Sequence, residues 1–450
     1  MQKSGLASGR KLTLVPLIAA TCFMVSGGPY GLEELVQTSG YGVAVTILIL
    51  LPLIWALPTG LMVGELAAAI PSEGGFYVWV RRAMGPFWGF QEAWLSLMAS
   101  IFDMGAYPTV AVLYLGQVWP QLTAGSRGTL IAGGIILLCM LWNLFGAKVV
   151  GNSSVLLGLL LLSPFAVITV YALLHRWLMP VASSAALTAT PAARHDLLAA
   201  ILVAMWNYMG WDNASTVAEE VDDPQRTYPR VMIISLLLII VIYAIPVLAV
   251  WSAHLPVNAW STGSWASIAG TVAGRGLALA VVAGALVSTA GILNSLTMSY
   301  SRLPLAMAED GWLPRVFARK LKSGAPWFSI VVCAAAWSMS LALSFDRLIM
   351  LDILLYGASL VLEFVALAVL RVREPNMPRP FRIPGGLPTA ILLGVGPTAL
   401  LVVALIKNRD EHIGPISTLT LGLAMAALGV VIYFITVALR KPEARAATAD

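Results

Sequence analysis

Two glycines, a proline and a third glycine are packed into Val25-Ser26-Gly27-Gly28-Pro29-Tyr30-Gly31, inside an apolar stretch of about residues 12–38. Proline removes a backbone N–H and glycine gives up restraint, so an α-helix does not continue through this run. Within a bilayer, non-helical backbone survives only where protein encloses it or where it lines a wet cavity. A spanning helix broken at mid-depth is therefore read as a binding site, whose freed N–H and C=O groups hold a substrate or an ion. A second break, Asn207-Tyr208-Met209-Gly210-Trp211-Asp212-Asn213, lies near the start of the second half. The pair predicts a transporter.

Composition agrees. Apolar residues make up 59% of the chain and charged ones 11%, against about 25% charged in soluble domains. The net charge of +5 suits loops facing anionic lipid better than nucleic acid. Cys22, Cys139 and Cys333 lie in apolar runs without zinc-type spacing. His175, His195, His254 and His412 fall at predicted helix ends or loops. No metal cluster, cofactor or nucleophile–base set is expected. The basic start (Lys3, Arg10, Lys11) precedes an apolar stretch too long for a signal core, so the first span is expected to be permanent.

Segments of about 20 apolar residues fall at roughly 12–38, 41–68, 87–116, 129–146, 151–175, 196–219, 230–253, 276–307, 328–345, 348–370, 388–406 and 415–439. With the N-terminus inside, twenty of the 27 Lys and Arg lie on the cytoplasmic side and seven outside, so both termini are expected in the cytoplasm. The broken first and sixth segments then run in opposite directions, the pattern of an inverted repeat. The expected fold is an all-α membrane protein of 12 transmembrane helices. It is a 5+5 inverted repeat with broken helices 1 and 6, over 1–195 and 196–370, and helices 11 and 12 with a tail fill 371–450. Trp260, Trp265 and Trp312, in the longer connections, are expected to anchor short helices at the membrane surface.

An ionisable side chain inside a span is a functional candidate. The deep ones are Glu33, Glu34, Asp103, Asp212 and Glu363, all acidic, with no deep basic partner. Surplus carboxylates suit a cationic substrate or a proton. Asp103 and Tyr107 share a helix face; together they can hold an ammonium, or Asp103 is bonded to a neighbouring helix. Asp212 is an amine ligand or a cap on the second half-helix. Glu33 and Glu34, at a half-helix N-terminus, form an outer amine site or face a vestibule. Glu363, two turns from Arg371, suits an interhelical structural role, and Glu65 a gate or packing role. The candidate substrate-binding residues are Ser26, Gly27, Gly28, Tyr30, Gly31, Glu33, Asp103, Tyr107, Trp206, Tyr208, Trp211 and Asp212.

Three longer motifs carry a resemblance. Glu65-Leu66-Ala67-Ala68-Ala69-Ile70-Pro71-Ser72-Glu73-Gly74-Gly75-Phe76-Tyr77, Ser301-Arg302 with Ala306 through Pro314, and Arg379-Pro380-Phe381-Arg382-Ile383-Pro384-Gly385-Gly386 resemble signatures of the amino acid–polyamine–organocation superfamily. More narrowly, Ser26 through Glu33, Gly85 through Glu92, Asp103 with Tyr107-Pro108, and Trp211 through Thr216 with Glu220 through Pro224 resemble polyamine uptake transporters. In typical amino-acid members a glycine-rich break receives the substrate carboxylate on its amides; here Pro29 deletes one donor. Some members place a lysine in helix five in lieu of sodium; here only Lys148 stands at its entrance. Ser288, Ser295 and Ser299 are candidates for a sodium site, but a proton is the preferred coupling ion. The resemblance implies a cell-membrane importer of organic cations working by alternating access, polyamines first. An amino acid permease or exchanger is the alternative, and a non-transporting sensor or partner-dependent subunit the rival of another class. The expected partners are a small-molecule substrate and the bilayer, with no nucleic acid and no obligatory protein partner.

Overall fold

Apolar stretches this long leave a chain only one way to satisfy its peptide groups in lipid, and the computed structural model is built almost wholly of helices. It describes residues 11–178, 196–252, 257–407, 412–413 and 416–439. Lys3, Arg10, Arg194, Arg409, Arg440, Lys441 and Arg445, most of the 176–195 connection, and His195 and His254 lie outside these residues, as do the side chains of His175, Arg176 and His412.

The helices are α1 (Leu14–Val25), α2 (Glu33–Ile54), α3 (Ala56–Ala69), α4 (Phe76–Met84), α5 (Pro86–Val118), α6 (Pro120–Thr123), α7 (Ser126–Asn143), α8 (Ala147–Leu178) and α9 (Leu197–Asn207). Then follow α10 (Pro224–Ser252), α11 (Trp265–Ala273), α12 (Arg275–Tyr300), α13 (Arg302–Glu309), α14 (Trp327–Met339), α15 (Phe345–Arg373), α16 (Gly386–Lys407) and α17 (Thr418–Leu439). Among the described residues, nine helical stretches are long and apolar enough to cross a membrane, and Leu14–Val25 and Trp327–Ala342 are shorter apolar helices. The chain is a multi-pass membrane protein.

Helices seen as separate segments in the sequence are here joined or bent at identifiable residues. The segment after the first break runs without interruption into the next, with one kink at Gly40, whose φ is +74°. α2 gives way to α3 at Trp55, between Pro52 and Pro58. The central contact of the bundle is α5 against α15, with α12 packed on α5 and α8, and α10 on α3. Large apolar side chains such as Leu156, Leu159, Leu392 and Phe434 stand exposed on the outer helices, as a lipid-facing surface requires.

One end of the bundle is closed by polar contacts. Leu12 N–H donates to Glu220 O at 2.7 Å, Asp222 N–H to Leu12 O at 2.8 Å, and Gly74 N–H to Thr216 O at 3.0 Å. Around these lie the ion pairs Lys320–Glu73 (2.5 Å), Arg302–Glu220 (2.7 Å) and Arg81–Asp310. Burial lifts Glu73 above the ordinary carboxylate value of 4.5, although Lys320 and Arg302 pull the other way.

One expectation is corrected. Trp260, Trp265 and Trp312 are buried in protein. Trp260 Nε1 donates to the Tyr41 hydroxyl at 2.7 Å and Trp265 Nε1 to Pro29 O at 2.9 Å, while the Trp312 ring packs on Phe90 and Tyr433. An indole that finds a protein acceptor has no need of the interface. Arg371, two turns from Glu363, pairs with another helix. Eight residues turn a helix about 80° past two full turns, and Arg371 faces α3, where its guanidinium meets Glu65 at 2.5 Å. Glu65 also meets Arg379 at 3.2 Å and accepts the Ile383 N–H at 2.8 Å. It is a packing partner.

Candidate functional site

The first break runs over Ser26–Leu32, which joins α1 to α2 without helical structure. Its peptide groups are taken up by side chains. Ser288 Oγ donates to Gly27 O at 2.6 Å and Asn207 Nδ2 to Gly31 O at 3.4 Å. Gly28 N–H donates to Ser26 Oγ at 3.1 Å. Gly31 N–H donates to Glu33 Oε2 at 2.7 Å, and Glu33 Oε1 accepts Gly263 N–H at 3.2 Å and the Tyr114 hydroxyl. Glu33 therefore fills, with its own carboxylate, the anion position that the break's amides create. Neighbouring Glu34 accepts from Thr262 Oγ1 at 2.7 Å.

The second break starts one residue later than expected. α9 continues through Asn207, residues 208–211 are non-helical, and a short 3₁₀-helix covers Asp212–Thr216. Tyr243 donates to Asn207 O at 2.7 Å and Trp55 Nε1 to Tyr208 O at 3.2 Å. Ser299 Oγ donates to Asn213 O at 2.9 Å. Gly210, at φ +92°, donates its N–H to the Tyr356 hydroxyl at 3.0 Å. A Cβ added at Gly210 would stand 2.4 Å from Met24 O, in the last turn of α1, so the second break packs against the end of α1, and only glycine allows the approach.

Between the first break and the end of α9 lies a small cleft. Gly27, Tyr30, Gly31, Tyr107 and Trp206 line it together with Asn207, Ser288 and Thr289. The Tyr107 and Trp206 rings stack with centroids 5.8 Å apart. Of the candidates, Ser26 and Glu33 are turned to the break's own amides, and Gly28 packs on Leu161. Tyr208 and Trp211 stand behind the second break: Tyr208 donates to Leu48 O at 2.8 Å, and Trp211 Nε1 to Tyr208 O at 2.9 Å.

Behind the Tyr107 wall is a layer of acids. Asp103 faces the hydroxyls of Tyr107 and, at 3.4 Å, Tyr300. Asp212 Oδ1 accepts the Tyr356 hydroxyl. Asp352 lies one turn before Tyr356 on α15, and Glu92 on α5 and Glu363 on α15 are bridged through Ser359, which donates to Glu92. None of the five is more than 6% exposed. None takes part in any ion pair among the described residues. No set of three or more His, Cys, Asp or Glu among the described residues could hold a metal ion.

Sequence reasoning found Asp103, Asp212 and Glu363 but not Asp352, nor Glu92 as a buried acid. The signal was present. Asp352, Tyr356, Ser359 and Glu363 are spaced four, three and four residues apart, and so are confined to one stripe of a helix. Glu92, Ser96, Asp103 and Tyr107 form a similar stripe on α5.

The profile of the amino acid permease family matches residues 18–436. A polyamine transporter of Oryza sativa subsp. japonica is 33% identical over 430 residues, covering 94% of this chain and 77% of that one. A polyamine transporter of Arabidopsis thaliana is 32% identical over 424 residues, covering 92% and 84%. A serine/threonine exchanger of Bacillus subtilis (strain 168) is 29% identical over 349 residues, covering 74% and 76%.

Proposed function

The chain belongs to the amino acid permease family of the amino acid–polyamine–organocation superfamily, and we propose that it is a secondary transporter of polyamines. The observation that carries this reading is the layer of five buried acids, free of any described ion pair, behind the Tyr107 wall of the cleft at the first break. A polyamine brings two or more ammonium groups and no carboxylate. Asp103 and Asp212 offer separated acceptors, and stacked Tyr107 and Trp206 offer aromatic faces for a cation. The anion position at Gly31 N–H, which a zwitterion would need, is held by Glu33. The names of the plant relatives point the same way.

In this reading the chain crosses the cell membrane twelve times with both termini in the cytoplasm. Residues 1–195 and 196–370 are inverted repeats, and 371–450 follow them. The end closed by Glu73–Lys320 is the cytoplasmic one. The bundle holding the breaks moves against the α5–α15 scaffold to alternate access, and a proton is the coupling ion.

An amino acid permease or exchanger is the second reading, favoured by the similarity to a serine/threonine exchanger. Competition binding on purified protein separates the two. Putrescine and spermidine should displace a radiolabelled polyamine and raise the unfolding temperature at concentrations where serine, threonine and leucine do neither. Stabilisation by a neutral amino acid, with none by polyamines, would replace the first reading with the second.

A further inference from the structure

The α5 and α15 stripes continue past the cleft, toward the end closed by Glu73 and Lys320, and finish in a pair of glutamates. Glu92 Oε1 accepts Ser359 Oγ at 2.5 Å and Ser96 Oγ at 3.3 Å, and the two serine oxygens are 2.8 Å apart. Among the described residues, Glu92 Oε2 has no hydrogen-bond partner, and neither does either oxygen of Glu363. Both residues are fully buried, and Ser359, which donates to Glu92, stands one helical turn before Glu363 on the same face of α15, so the two acids are neighbours. The Glu363 carboxyl thus points into a site that supplies it with no protein donor.

Two adjacent carboxylates sealed from water do not both stay ionised, because each charge adds to the other's cost. A protonated carboxyl carries its own donor. A proton on either residue removes one of the two buried charges. The remaining neighbours of Glu363 do not change this balance. Asp212 is itself an acid, and Tyr356 donates to Asp212. From α3, Glu65 is occupied by Arg371 and Arg379. From α4, Arg81 and Arg82 are held by Asp310 and Glu374. α16 contributes only Lys407, paired with Asp196, and α17 has no charged residue.

We infer that Glu92 and Glu363 form a proton-binding site, separate from the substrate cleft and linked to it through Asp212 and Tyr356. The sign of the link follows from Coulomb's law. Ionised Asp212 favours the proton on the pair, and an ammonium at Asp212 cancels that charge. Binding of a cationic substrate therefore releases the proton to solvent, and binding tightens as pH rises through the range in which the pair titrates. The substrate-linked part rests on the polyamine reading; the proton site does not.

Two measurements test it. Infrared difference spectra of the ligand-free protein across pH should show a protonated-carboxyl C=O band that disappears in Glu363→Gln and shifts in Glu92→Gln. Calorimetry of putrescine binding in buffers of different ionisation enthalpy should show about one proton released per ligand, and close to none in either variant. A band unchanged in both folded variants would overturn the site, whatever the ligand. Putrescine binding without proton release, or with equal release in the variants, would overturn the link while leaving the polyamine reading in place. A band that behaves as expected in a protein that binds no polyamine would keep the proton site and refute that reading.

Discussion

Asp103→Asn keeps the shape of the side chain and a carbonyl acceptor for the Tyr300 hydroxyl, 3.4 Å away, but removes one charge beside the cleft. Asp103 is only 6% exposed, so bulk water does little to screen it. Two unit charges 4 Å apart at an effective dielectric of about 20 attract by about 4 kcal/mol. Part of this is offset by the ammonium's lost hydration, and the net value of a charged hydrogen bond is about 1.5–3 kcal/mol. Putrescine should therefore bind about ten- to a hundredfold more weakly. The assay is scintillation binding on purified protein, with thermal unfolding run alongside. Removing one of several mutually repelling acids should leave the unfolding temperature unchanged or raised. A folded variant whose affinity changes less than about threefold (about 0.65 kcal/mol) would refute the assignment and return Asp103 to a structural role.

Glu65→Gln should do the reverse. It leaves the Arg371 and Arg379 guanidiniums, 2% and 4% exposed, without their carboxylate and should cost about 3–5 kcal/mol of stability, seen as a large drop in unfolding temperature with polyamine affinity kept in the folded fraction. Gly31→Ala puts a Cβ at φ +89° and 3.2 Å from the Trp206 ring; the left-handed backbone alone costs about 1–2 kcal/mol, and ligand binding should weaken more than stability does, as separate titrations would show. Glu73 sets a pH dependence whose sign runs against intuition. Its pKa is raised where it is buried in the closed end, so closure is favoured as pH falls through that raised value and is lost as pH rises through it; hydrogen-exchange protection at 212–221, taken relative to the intrinsic rate at each pH, should rise as pH falls through that value, and Glu73→Gln should abolish the rise.

How much of this was legible in the sequence depends on the range of the interaction. The breaks at Gly27–Gly31 and Gly210 are local events, fixed by glycine and proline within a few residues, and they appear where the chain says they should, the second one residue late. That Asp103 and Tyr107 share a face is equally local. What escaped was the choice of partner. Arg371 had two acids within reach of a sequence argument, Glu363 on its own helix and Glu65 on another, and only the rotation of α15 against α3 decides for Glu65. That choice leaves Glu363 without a cation beside Glu92. The same packing turns Glu33 from a candidate amine ligand into the occupant of the first break's anion position. Both outcomes bear on specificity together. A carboxylate substrate would have to displace Glu33 from Gly31, Gly263 and Tyr114, whereas an amine meets acids that form no ion pair among the described residues. The discrimination proposed for this chain therefore comes as much from a position already filled as from one left open.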